Sequence, residues 1–203
     1  MGFFIPTIMK TAIIVLLAIA AVFIFVQAYV AKTTSDTEHQ EYELIESDGI
    51  FEIRYYPSAV MASVALDGNY RNSSGTGFRI LAGYIFGSNS EDIKIPMTAP
   101  VHMIQDSSGY FMSFVMPSAY ELDKLPVPDN GQVRLHESSP AHMASVRFDG
   151  FANDEKIEKY KARLRNYLES KDISYTEPFI YLGYNPPYQM VNRRNEVVVK
   201  IDY

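Results

Sequence analysis

The sequence predicts an α+β domain made from one β-α-β-β unit used twice, behind a single apolar N-terminal helix. Two observations carry this. Met61-Ala-Ser-Val-Ala-Leu-Asp-Gly68 returns as Met143-Ala-Ser-Val-Arg-Phe-Asp-Gly150, identical at six of eight positions. Each copy is followed by apolar residues at helical spacing and then by two strand-like runs.

Within the first copy, Val60, Ala62, Val64 and Leu66 alternate with Met61, Ser63, Ala65 and Asp67, the period of a half-buried strand. Asp-Gly then ends the strand. Phe78, Leu81, Ala82, Ile85 and Phe86 recur at helical spacing, as do Ile157, Tyr160, Leu164, Tyr167 and Leu168 in the second copy. Asn153 is an N-cap for the second helix, with Asp154 and Glu155 in its first turn. The first helix contains Gly75, Gly77 and Gly83, so packing must hold it.

Two strands close each copy, around 97–105 and 110–116 in the first and around 179–184 and 196–201 in the second. Leading strands near 51–56 and 133–137 complete the set. The repeat offset that joins Met61 to Met143 also carries Pro96 onto Pro178. Repeat 1 then covers about 51–117 and repeat 2 about 133–203, with pseudo-twofold symmetry and a groove between the halves.

The apolar run from Ile8 to Ala31 is broken only by Lys10, Thr11 and Gln27. About 20 such residues at 1.5 Å rise cross a ~30 Å hydrocarbon layer, and Tyr29 sits where an interfacial aromatic belongs. Residues 1–32 read as a transmembrane anchor, and 33–40 as a polar tether. A cleaved signal peptide is the competing reading, since Val26-Gln27-Ala28 has the small-residue look of a cleavage site. Lys10 and Lys32 nearly balance the flanks. A short tail before a large acidic domain favours export of the domain, periplasmic in a bacterium.

All 24 acidic residues lie after residue 33, against 16 of the 18 basic ones, an excess of eight negative charges. That field repels nucleic acid. With no cysteine, disulfides, thiolate-held metals and covalent c-type haem are excluded. No metalloprotease, nucleophile-elbow, P-loop or dinucleotide motif occurs, so no enzyme is predicted.

Several motifs run in order along residues 41–203: Tyr42-Glu-Leu-Ile, Phe51-Glu-Ile-Arg-Tyr-Tyr56, Lys94-Ile-Pro-Met-Thr-Ala-Pro-Val101, Phe148-Asp-Gly-Phe151, Gly183-Tyr-Asn-Pro-Pro187 and Arg194-Asn-Glu-Val197. In these the chain resembles the SOUL/haem-binding protein family. The resemblance implies a distorted antiparallel barrel with two helices, similar to the bacterial effector-binding domain, and non-covalent binding of haem or another tetrapyrrole. The resemblance implies haem held in a hydrophobic groove with no obligatory axial ligand in some members and, in one, a ligating histidine just after Glu-Ile-Arg, where this chain has Tyr55.

Haem requires a flat apolar slot, cations for two propionates and, optionally, an axial ligand. Burying on the order of 400 Å² at ~25 cal/mol per Å² yields about 10 kcal/mol gross. Association costs on the order of 4–15 kcal/mol remove much of this, so that micromolar binding without an iron ligand is physically possible and tight binding requires ligation. Phe78, Leu81 and Ile85 on the first helix, with Met61 or Met97, are the candidate slot. Arg79, Arg193 and Arg194 are candidate propionate partners, and His102 and Tyr55 are candidate axial ligands. Buffering, delivery or sensing of haem is the expected role. The alternatives are a general module for hydrophobic small ligands and a hydrolase working in the same groove.

Overall fold

A computed structural model describes residues 7–67, 70–106 and 109–203. Helix α1 (Thr7–Ser35) is followed by β1 (Glu43–Asp48), β2 (Phe51–Tyr56), β3 (Val60–Leu66), α2 (Tyr70–Ile85), β4 (Val101–Asp106) and β5 (Gly109–Val115). A 3₁₀ turn at Leu122–Lys124 leads to β6 (Arg134–Glu137), β7 (Ala141–Asp149), α3 (Asp154–Ser170), β8 (Tyr175–Gly183) and β9 (Arg194–Ile201). All named strands join one antiparallel sheet in the order β1-β2-β7-β9-β8-β4-β5-β3-β6.

That order reads the same from both ends once β1 is set aside. The two copies meet at the β4–β8 pair, where His102 faces Leu182 and Ile104 faces Ile180. Each leading strand pairs with the repeat strand of the other copy: β2 lies on β7, and β6 lies on β3. Yet β2 reaches β3, and β6 reaches β7, through links of only three residues, 57–59 and 138–140. Both conditions hold only if the sheet curls back on itself. At ~4.8 Å per strand, β3 and β7, five places apart, would be about 24 Å apart in a flat sheet. Met61 and Met143 nevertheless line one cavity.

Strand registers correct the equivalence of prolines. Pro100, not Pro96, corresponds to Pro178. Pro100 directly precedes β4, Pro178 lies within β8 just before the stretch that pairs with β4, and both follow cis peptide bonds. The constant offset holds for the repeat strands and slips beyond the helices, because the loops there differ in length between the copies.

Both helices cover one face. Helix α2 packs on β3 and β5, and α3 on β7, β9 and β8. Leu81 and Ile85 are buried with Val64, Met112 and Phe114, while Ile157, Leu164 and Leu168 are buried in the second half. Gly77 allows the close approach of α2: a Cβ there would stand 2.5 Å from Leu66 Cδ1 and 3.2 Å from Met112 Sδ. Asn153 Oδ1 accepts from Lys156 N at 2.8 Å, the expected N-cap. Gly150 ends β7 at φ +77°, while Gly68 of the first Asp-Gly lies outside the described residues.

The segment expected as a loose tether is tied down. Helix α1 extends to Ser35, and residues 38–40 bond to the 97–100 segment: Gln40 N donates to Ala99 O at 2.8 Å, and Ala99 N donates to Glu38 O at 2.9 Å.

Candidate functional site

Strand alternation places Arg54, Tyr56, Met61, His102, Ile104, Ser113, Met143, Ile180, Leu182, Glu196 and Val198 on the face opposite the helices. Curling makes that face concave. At its centre is a cavity of about 150 Å³, walled chiefly by Met61, Met143, Ile104, Ile180, Leu182 and Val198. His102 lies in the wall, and the exposed His136 stands at the mouth. Beside it, sharing Gln40, is a more polar concavity of about 190 Å³ against the 38–41 segment.

The His102 ring is enclosed, although the residue as a whole is half-buried. Its Nε2 is 2.7 Å from Gln40 Oε1. Burial pushes its pKa down to about 4, so the imidazole is neutral at pH 7. With Nε2–H donating to the Gln40 carbonyl oxygen, Nδ1 carries the lone pair.

Adjacent to the cavity, the concave face is closed by an ionic network. Arg54 Nη1 and Nη2 donate to Glu196 at 2.6 and 3.0 Å, Arg54 Nε donates to Glu52 at 2.7 Å, and Arg54 Nη1 reaches the Tyr56 hydroxyl at 3.0 Å. Arg194 Nε and Nη2 donate to Glu196 Oε1 at 2.9 and 2.7 Å, and the Tyr184 hydroxyl donates to Oε2 at 2.9 Å. Tyr42 and Tyr184 cover the Arg54 and Arg194 guanidinium groups at 4.3 and 4.2 Å.

Burial alone would raise the Glu196 carboxyl. The hydrogen bonds and charge of Arg54, joined by those of Arg194, outweigh it and hold the group below the carboxylate range. Desolvation raises Tyr56 to about 12, and it therefore stays a neutral hydroxyl. Every residue of this cluster lies in one of the motifs quoted above, but nothing in the motifs themselves pairs them. The buried arginine and the buried glutamate are 142 residues apart, and only the strand register brings them together.

The other candidates are scattered. Leu81 and Ile85 are 0% and 1% exposed beneath α2, so the helical stripe packs against the sheet and forms no slot. Phe78 is half-buried, edge-on to Phe114 at 5.4 Å. Arg79 is exposed on α2, with Nε donating to Gly75 O. Met97 is exposed and lines neither cavity. Tyr55 is on the helix-bearing face, its ring 5.2 Å from that of His142. It cannot share an iron with His102 across the sheet. Arg193 donates to the carbonyls of Pro186 and Gln189 at 2.7 Å, and Arg194 is held by Glu196. Met61 and His102 are the two candidates that the structure brings to one cavity.

A pseudo-twofold, curled antiparallel sheet with α2 and α3 on its convex side and a small recess on the other is the architecture of an effector-binding-like domain. The C-terminal domain of EcmrR has this fold: it aligns with a TM-score of 0.53 at 10% identity, covering 79% of this chain and 98% of that one. Residues 37–200 match the family model described as SOUL heme-binding protein. Heme-binding protein 2 of Mus musculus is 31% identical over 158 residues, 73% of this chain and 77% of its own length. Heme-binding protein 1 of Xenopus laevis is 30% identical over 173 residues, 79% and 90% of the two chains. The chain belongs to the SOUL heme-binding protein family.

Proposed function

We propose that this chain is a membrane-tethered module that binds haem or a related tetrapyrrole non-covalently, with the macrocycle across the mouth of the concave-face cavity. The observation that carries this is the cavity itself: six apolar side chains from β3, β4, β7, β8 and β9 converge there, with a neutral histidine in the wall. The recess of about 150 Å³ is smaller than the ~300–1,000 Å³ typical of pockets that engulf a ligand. The residues therefore fit an open-faced site, with one side of the macrocycle on the apolar wall and its edge in water. His102 would hold the iron once Gln40 gives way, and the bound group would supply redox or sensing chemistry. Exposed Lys200, beside Met143 on the same face, is placed to meet a propionate.

Tethering is supported by α1, in which an 18-residue stretch within Ile8–Ser35 reaches a mean hydropathy of 2.8 and which projects with Ile8 to Val26 exposed. Gln27, the polar break in the run, is 8% exposed because its amide is bonded to the domain. That contact favours a retained anchor over a cleaved leader, and export of the domain remains the proposed orientation. The recess volume favours a second reading, in which the occupant is a smaller apolar ligand. Titrating the full chain in detergent with haemin separates the two. A saturable Soret shift supports the haem reading, whereas displacement of an apolar fluorophore without one supports the other.

A further inference from the structure

We propose that the loop of residues 185–192 lies in the interfacial layer of the membrane that α1 spans, so that the domain rests on the bilayer in one orientation and does not swing on a tether. The inference rests on the anchor reading above. Three independent features of the loop point to lipid.

First, the loop is bonded to α1. Gln27 Nε2 donates to Tyr188 O at 3.3 Å, and Met190 N donates to Gln27 Oε1 at 2.8 Å. Two turns further on, Thr34 Oγ1 donates to Gln189 Oε1 at 2.8 Å. The α1 residues withdrawn from solvent are Gln27, Val30, Ala31 and Thr34, one helical stripe.

Second, the contact falls at a defined depth. From Ile8 to Gln27 the helix rises about 28 Å, close to the ~30 Å hydrocarbon thickness. The loop therefore sits where hydrocarbon gives way to headgroups, level with exposed Tyr29.

Third, its surface suits that layer. Asn-Pro-Pro-Tyr-Gln-Met-Val-Asn contains no charged residue, and Tyr188, Met190 and Val191 are 66%, 55% and 48% exposed. Apolar and aromatic side chains turned outward at this level match an interfacial belt. The loop is also built to hold its shape. Buried Arg193 donates to the carbonyls of Pro186, Gln189 and Asn185 and stacks on Phe151, which is itself 53% exposed beside the patch.

The chain has no tryptophan, so single substitutions give unambiguous fluorescent reporters. The full chain is placed in phosphatidylcholine vesicles whose acyl chains carry bromine at shallow or deep positions. Phe23→Trp reports on α1, and Tyr188→Trp and Met190→Trp report on the loop. Gln105→Trp reports on the opposite end of the sheet, where the β4–β5 tip lies. The expected result is blue-shifted emission from both loop reporters, quenched most by shallow bromine. Phe23→Trp is quenched most by deep bromine, and Gln105→Trp by neither. If the loop reporters behave like Gln105→Trp while Phe23→Trp is quenched, the loop inference falls and the anchor stands. Loss of quenching at Phe23→Trp overturns both.

Discussion

Arg54 and His136 occupy equivalent places in the two halves of the sheet. Arg54 stands opposite Met143 and His136 opposite Met61, and the two methionines are the same position of the repeat. By the same register Glu196, opposite Arg147, corresponds to Phe111, opposite Ala65. A doubled scaffold thus carries an ion pair in one half of its concave face and a histidine and phenylalanine in the other. The charged half is closed by its own hydrogen bonds. The recess opens between the two halves, with Met143, Ile180, Leu182 and Val198 from one and Met61, His102 and Ile104 from the other.

Removing one partner of the closed half should be costly. Glu196→Gln leaves Arg54 buried at 2% side-chain exposure without its main counter-charge, and a loss of about 3–5 kcal/mol is expected. Arg54→Met combined with Glu196→Leu should recover much of that loss. Urea unfolding midpoints measure both.

The same pair sets an acid limit. Glu196 has its folded pKa depressed, so the stability it contributes is present above the unfolded carboxyl pKa of about 4.3 and is lost as pH falls through the lower folded value. Stability measured from pH 6 to pH 2 should fall steeply at the acid end in the natural chain. The Arg54→Met/Glu196→Leu variant should show a shallower fall.

Leu81→Ala should destabilise the chain by about 2–5 kcal/mol, because a fully buried side chain leaves a cavity under α2. Ligand affinity, measured below the shifted unfolding transition, should not change. A selective loss of binding would return the slot to the helix.

If iron is held by His102, His102→Ala will alter the ferric haem spectrum of the complex and Tyr55→Phe will leave it unchanged. Tyr55 is on the wrong face of the sheet to reach the recess. Absorption spectra of the three complexes decide between them.

Much of this architecture is legible in the sequence, because alternation and helical spacing are local signals. The Met61 and Met143 segments mark the two halves, and the stripe from Phe78 to Ile85 marks a helix with one buried face. The role of that stripe is a different matter, since the spacing that packs a helix on a sheet also suits a cofactor slot. The exchange of β2 and β6 between halves leaves no local trace, and neither does the Arg54–Glu196 pair that depends on it. Pro96 was the natural partner for Pro178 at constant offset, but unequal loops move the equivalence to Pro100. Gln27 was a visible signal: a single amide in an apolar run needs a partner, and the partner is a backbone that arrives 161 residues later.

The concave recess is the proposed haem site. Haemin titration of the full chain and of Ile104→Trp, which fills the recess from its wall, tests this most directly. The natural chain should give a saturable Soret shift, and Ile104→Trp should bind at least about tenfold more weakly, a loss of ~1.4 kcal/mol. Equal affinity in the two chains, with binding lost instead in Phe78→Ala on the helix-bearing face, would contradict it.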